Sequence, residues 1–407
     1  MSQVCDSTRT SARPRRVMTG LVLLVSLVAV ACSKDQSQGG AAPTGPPVVV
    51  GLINQQDAPT GSFPEVRSAA LDAVAYVNGS LGGIKGRPLR LDVCTTVGTP
   101  ESSQGCATKL LASEPVAVLG GVDLGAVASL PILKKAGVAY VGGAPALGDE
   151  LTAQDAYLLT GGAAADLLGS VTYAFETLKA KRVGALYVDL PGVLSTVVAA
   201  APTVLKARGA TAVKLVAEKA DTADFTPALR SLQAFDPDVI LVVFGAQSCA
   251  RIMTARQSLG LDAAMFYPGA CASADVVTAA GPGAEGSYFA SGFLSFDDPS
   301  EEVAVWRQRS KGRSSLGQAG FASVMNIHAL AEGLKGEVTA KAVADRLSVA
   351  NQEKNFMANP YTCDGRQVPF LIAVCNASVR ILRYSDGSFG DVGGRWINGG
   401  DVLKIGG

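Results

Sequence analysis

The stretch Val48 to Val93, VVVGLINQQDAPTGSFPEVRSAALDAVAYVNGSLGGIKGRPLRLDV, decides the fold. Val48 to Leu52 is an apolar run of strand length, and the polar Gly/Pro loop Asn54 to Gly61 follows it. Ser62 is placed to cap a helix whose first position is Pro64, where a missing N–H costs nothing. Val66, Ala69, Ala70, Ala73, Val74 and Val77 then recur at helical spacing and give that helix one apolar face. Asn78-Gly79 and Gly82-Gly83 end it, and Leu89, Leu91 and Val93 alternate as a strand does. The unit is β-α-β, with its longest loop at the carboxyl end of the first strand, where open α/β sheets bind ligands.

Working outward, alternating strand and helix patterns run on to Gly142, restart near Tyr157 to Gly162 and continue to Pro268. Such alternation predicts parallel sheets covered on both faces, in two doubly wound lobes. The long extended run Gly286 to Phe296 is expected to carry the chain back to the first lobe, ahead of helices at 301–311, 318–334 and 338–350. The tail from Asn351 reads as a β-rich appendage, with strands at Pro369 to Val374 and Val379 to Tyr384 and turns at Asp364-Gly365 and Asp386-Gly387. The expected division is 48–158 plus 288–338 for the first lobe, and 159–287 plus 339–407 for the second lobe and hinge.

At 407 residues with 48% hydrophobic content, the chain can bury two large cores. With a formal net charge of +0 and 17% charged residues, the composition advertises no basic face for nucleic acid. Arg9, Arg13, Arg15 and Arg16 precede the apolar run Val17 to Val30, which is short for a membrane span and reads as a signal peptide over 1–31. It ends Ala29-Val30-Ala31-Cys32, which resembles the bacterial lipoprotein processing site, with Ala29 where leucine is usual. That resemblance implies lipidation at Cys32, a polar linker over 32–47, and an exported chain tethered to the outer face of the cytoplasmic membrane or in the periplasm.

Export favours disulfides among Cys94, Cys106, Cys249, Cys271, Cys363 and Cys375. Many pairings are open. Sequence neighbours are the natural partners, because Cys94 ends a strand before the helix of Cys106, Cys249 and Cys271 follow successive strands, and Cys363 and Cys375 bracket a turn. Loops this short would contribute about 2–3 kcal/mol each. The spacing suits no metal, and no cofactor is called for. His328 sits mid-helix and reads as a packed residue, and no nucleophile elbow or metalloprotease motif occurs, so the chain does not read as an enzyme.

Val77-Asn78 with Gly82-Gly83-Ile84-Lys85-Gly86-Arg87-Pro88-Leu89, Asp224-Phe225-Thr226-Pro227-Ala228-Leu229 and Ala284-Glu285-Gly286 resemble the type 1 periplasmic binding proteins. Within them the likeness is to substrate-binding proteins of branched-chain amino acid transporters, and it covers nearly all of 48–384. It implies two lobes joined by three crossings that close on a small solute, and delivery to an ABC permease with its ATPase. Carried over, the ligand loops hold Phe63, Asp123, Leu124, Ala144, Pro145, Pro191, Ala246 or Gln247, and Ala270. Gln55 and Gln56 on the opening loop, Asp189, Tyr267 and Gln247 at strand ends and Phe321 in a later helix are further candidates. Asp123 serves either as a helix cap or as a ligand-binding acid. Amino-acid binders in the family usually offer Ser/Thr hydroxyls and backbone amides to the α-carboxylate where this chain has Asp123-Leu124 and Gly143-Ala144-Pro145, and an acid to the α-ammonium where it has Pro268-Gly269-Ala270-Cys271. The expected ligand is therefore a neutral or cationic solute with an apolar part rather than a plain α-amino acid. A sensory receptor of the same fold and an exported dinucleotide-dependent enzyme are the competing readings.

Overall fold

The computed structural model describes residues 42–58, 61–146, 148–189 and 195–403. The expected signal peptide and Cys32 lie outside them, as does Pro191.

Strand Val48–Gln55 is the hub of a five-stranded parallel sheet. Leu89–Thr96 pairs on one side, from Val48 against Leu89 to Gln55 against Thr96, and Val118–Gly120, Tyr140–Gly142 and Ala156–Leu158 follow in order on the other. The second sheet begins the same way. Arg182–Val188 lies between Ala212–Glu218 and Val239–Val243, and Ala264–Tyr267 and Tyr288–Ser291 continue it in parallel. Each sheet reverses its strand order beside its first strand, which opens a crevice at the carboxyl ends there. These are the two expected lobes.

The opening helix is Pro64–Ser80. Its cap residue is Phe63, not Ser62, and no side chain caps it. Ser62 Oγ instead accepts from the Asp57 N–H, tying down the loop before the helix. Val66, Ala69, Ala70, Ala73 and Val77 are buried as the spacing requires, against the long helix Ser315–Glu332. The glycine turn after it is obligatory: a side chain on Gly83, at φ +80°, would place its Cβ 2.1 Å from the Arg87 carbonyl oxygen. Ile84 anchors the turn with no exposed surface, and His328 Nε2 meets the Gly83 carbonyl at 3.1 Å, as befits a packed histidine.

Two features of the tail and return run differ from expectation. The extended run yields a strand only at Tyr288–Ser291, which pairs with Ala264–Tyr267 in the second sheet, so the return to the first lobe starts later in the chain. Residues 369–374 form turns, not a strand, because Pro369 has no N–H to give and Phe370 takes φ +67°. Only Val374 bridges, to Leu158. The expected hairpin is present as Ser378–Ser385 and Ser388–Asp391, turning at Asp386 and Gly387 with positive φ at both, and it extends the second sheet antiparallel. Near the crossings, Asn355 and Asn376 both donate to the Leu159 carbonyl. All three neighbour disulfides form: Cys94–Cys106, Cys249–Cys271 and Cys363–Cys375.

Candidate functional site between the lobes

The opening strand ends in two buried amides that brace the cleft loops. Asn54 Nδ2 donates to the Phe63 carbonyl at 2.8 Å, while its Oδ1 accepts from the Val122 N–H at 3.2 Å. Gln55 Nε2 donates to the Gly61 carbonyl at 2.9 Å, and its Oε1 accepts from the Leu124 N–H at 3.4 Å. The loops after the first and third strands are thereby fixed to one another. Gln55 acts from beneath the surface, since its side chain is fully buried. Gln56 is half-buried, beside Thr95.

Those braces set a small apolar cluster. Phe63, Val66, Val122 and Leu316 pack together, with Ala144 and Ala146 from the fourth strand's loop and Ala270 from the second lobe against them. Phe63 is only 6% exposed. Pro145 is buried and Leu124 half-buried beside this cluster's loops. Across the gap, Gln247 Nε2 donates to the Ser62 carbonyl at 3.3 Å, joining the start of helix Ala246–Leu259 to the opening loop. The structure thus brings Phe63, Ala144, Ala270 and Gln247 to one inter-lobe region.

It places other candidates elsewhere. Asp123 has no exposed surface, and its carboxylate accepts from Ser103 Oγ, Thr96 Oγ1 and the Gly125 N–H. Burial pushes its pKa up, and those three hydrogen bonds pull it down. It fastens the turn ahead of helix Ala126–Lys135, whose cap residue is Gly125. Phe321 is fully buried between Tyr76 and Phe356, at ring separations of 6.4 and 5.8 Å, and belongs to the helix packing of the first lobe. Tyr267 stacks on Phe289 at 5.6 Å inside the second lobe. Asp189 is exposed at a strand end, with its N–H held by the Glu218 carbonyl.

A buried carboxyl behind the apolar cluster escaped the sequence reading. Asp166, in helix Gly162–Glu176, is buried and accepts the Gly269 N–H at 2.8 Å, directly behind Ala270. Burial pushes its carboxyl up to about 7, against the smaller opposing effect of the Gly269 hydrogen bond. The signal was there as a lone charge in the apolar run Ala163 to Leu168. Glu65 and Asp275 add acidity from the two sides: burial chiefly raises Glu65, its own backbone hydrogen bond lowers it, and the Asp275 charge raises it further. The region therefore offers an aromatic and aliphatic wall with carboxyl groups around it. Among the described residues no cluster suited to a metal occurs, and no helix is long and apolar enough to cross a membrane.

The sequence profile described as "Periplasmic binding protein" matches residues 47–368. No curated protein matches in sequence. Among solved structures, the chain resembles the isoleucine complex of the branched-chain amino acid transporter substrate-binding protein from Streptococcus pneumoniae. Identity is 18%, coverage 84% of this chain and 98% of that one, and TM-score 0.69. An ABC transporter substrate-binding protein from Sphaerobacter thermophilus gives 17%, 87%, 99% and 0.73. A solute-binding protein from Rhodopseudomonas palustris, in complex with 3,4-dihydroxybenzoic acid, gives 17%, 86%, 97% and 0.70. At such identities the likeness establishes the fold.

Proposed function

The chain belongs to the periplasmic binding protein family, and from that premise we propose that it captures a small solute between its lobes and delivers it to an ABC permease with its ATPase. The observation that carries this reading is the apolar cluster shared by the lobes, where Phe63, Val122 and Leu316 of one side meet Ala270 of the other. A ligand seated there touches both lobes only when they are closed, so binding stabilises closure, and closure is what a permease recognises. We place the lobe boundaries near 158 and 291, with the tail strands from Ser378 on the second lobe. Lipidation at Cys32 would keep the protein at the outer face of the membrane.

The ligand we infer is a neutral or cationic molecule with an apolar part. Ala144, Pro145 and Leu124 supply no hydroxyl for an α-carboxylate, so leucine, isoleucine and valine should bind poorly. A ligand cation would find Asp166 behind Ala270, and Glu65 and Asp275 on either side. Asp123 is spent on Ser103, Thr96 and Gly125 and takes no part.

A thermal-shift screen over neutral, cationic and anionic solutes tests this. Ligand at 100 times its Kd adds about 2.7 kcal/mol, a clear rise in Tm. Hits should concentrate among apolar amines and uncharged solutes. No hit in a chemically broad library would count against solute capture, and micromolar binding of leucine by calorimetry would overturn the specificity. With a hit in hand, Phe63→Ala should weaken binding several-fold or more, since it removes the ring around which Val66, Val122, Leu316 and Ala270 pack and leaves the apolar wall without its centre. An unchanged affinity would remove Phe63 from the site. A genomic neighbour encoding a permease and an ATPase would favour transport over sensing.

A further inference from the structure

Three of the most exposed apolar side chains among the described residues gather around one disulfide. Phe370 is 90% exposed, Val349 70% and Ile372 46%. Phe370 and Ile372 lie inside the loop closed by Cys363–Cys375, and Val349 precedes Ala350, whose carbonyl accepts the Cys363 N–H at 3.0 Å. The loop is not frayed. Val368, Ala373 and Val374 are each 1% exposed and root it in the first-lobe core, with Leu371 packed against them. Phe370 is held at φ +67°, a left-handed conformation that bulky residues seldom adopt. A rooted, disulfide-closed loop that presents a phenylalanine to water in a strained conformation marks a contact point.

The size of the patch selects its partner. A stable protein interface takes roughly 20 to 30 residues a side, and two apolar side chains on this loop with Val349 on the neighbouring segment fall far short. A lipid surface asks for less, since single aromatic and aliphatic side chains settle at the headgroup boundary. Exposed Arg366 and Asp364 on the same loop balance in charge, which leaves apolar insertion as the attraction. The lipid-anchor reading of Cys32 supplies a membrane within reach of the chain. Ahead of the opening strand the chain is fixed on the body, with the Thr44 N–H on the Gly86 carbonyl and Arg87 Nε on the Pro46 carbonyl. From Cys32 to Ala42 the chain spans at most about 35 Å.

We propose that the Cys363–Cys375 loop is a lipid-contact point, with Phe370 and Ile372 entering the headgroup region of the membrane to which the chain is tethered. The inference rests on the lipid-anchor reading for its proximity, not for its chemistry. The test uses the full-length chain with Phe370→Trp as reporter and Val97→Trp, also an exposed apolar position on the first lobe, as control. Both are made in the natural sequence and in a Cys32→Ser chain, and mixed with vesicles of zwitterionic and brominated lipids at millimolar concentration. The Phe370→Trp emission should move to shorter wavelength and be quenched at least two-fold, while Val97→Trp is unaffected. Ile372→Trp is the second reporter, and an unchanged melting curve checks that each variant folds. Loss of vesicle co-flotation in the Cys32→Ser chain reports the anchor separately. Phe370→Trp emission unquenched in both backgrounds, or quenched no more than the control, overturns the loop proposal whatever the anchor does.

Discussion

Asp166→Asn should make the protein more stable than the natural chain at pH 8 and leave it about equally stable near pH 3.5. The Asp166 carboxyl stands at about 7 in the folded protein, against an ordinary 3.8, because burial penalises its charge more than the Gly269 N–H compensates. The sign follows from proton counting. Between those two values the unfolded chain has released the proton and the folded chain still holds it, so raising the pH favours unfolding. The natural chain therefore loses stability from about pH 4 up to about pH 7, and above that the penalty is constant. A rise of roughly three pH units at about 1.4 kcal/mol each gives a penalty on the order of 4 kcal/mol at pH 8. Asparagine keeps an oxygen that accepts the Gly269 N–H and has nothing to titrate. Asp123 and Glu65 are also raised by burial, but they act equally in both chains and cancel in the difference. Urea unfolding of both proteins at pH 3.5 and 8 measures it, and equal differences at the two pH values would show that Asp166 is not held protonated by the fold.

Stability and ligand capture should then move in opposite directions. If Asp166 meets a ligand cation, the same substitution that strengthens the fold weakens binding of amines while sparing uncharged ligands. A buried carboxyl without a neighbouring base is a cost that function explains more readily than packing does. Stabilised protein with undiminished amine binding would leave Asp166 as a support for Gly269 alone.

The sequence made the scaffold readable because each of its signals is local. The β-α-β unit at Val48 to Val93 shows its apolar spacing within a few turns of chain, and the Gly82 to Gly86 turn needs positive φ at residues that betray it. The cysteine pairs are near neighbours, and they closed as neighbours do. The site was harder to read because its geometry depends on which way a loop residue turns. Asp123 follows a strand as a ligand-binding acid would, yet it faces inward to Ser103 and Thr96, residues 20 and 27 positions away in sequence. Phe321 shares its helix with Leu316 of the apolar cluster, yet its ring packs between Tyr76 and Phe356. Val122 and Leu316 join Phe63 only through the packing of three separate elements. Asp166 announced itself as a charge among alanines and leucines, but its partner Gly269 lies 103 residues on.

Gly320→Ala should destabilise the protein by about 2 kcal/mol or more, whereas Gly79→Ala, on the helix that faces it, should stabilise by about 0.5–1 kcal/mol. Helix propensity alone favours alanine over glycine at both positions. The difference is contact. A Cβ on Gly320 would lie 2.1 Å from the Val66 carbonyl oxygen, with the Val66 carbonyl carbon and Cα at 2.9 and 3.0 Å, and nothing lies within 4 Å of one on Gly79. The obstructing atoms are main chain within helix Pro64–Ser80, so no side chain can swing aside and the two helices must part. Their separation would also displace Val66 and, at the same helix's start, Phe63, which together form the aromatic and aliphatic wall of the cleft. Gly320→Ala is therefore expected to lower both the unfolding midpoint in urea and the affinity for whichever solute the screen returns, while Gly79→Ala leaves affinity unchanged. Equal stability changes in the two variants would mean that the close approach of these helices does not hold the wall in place.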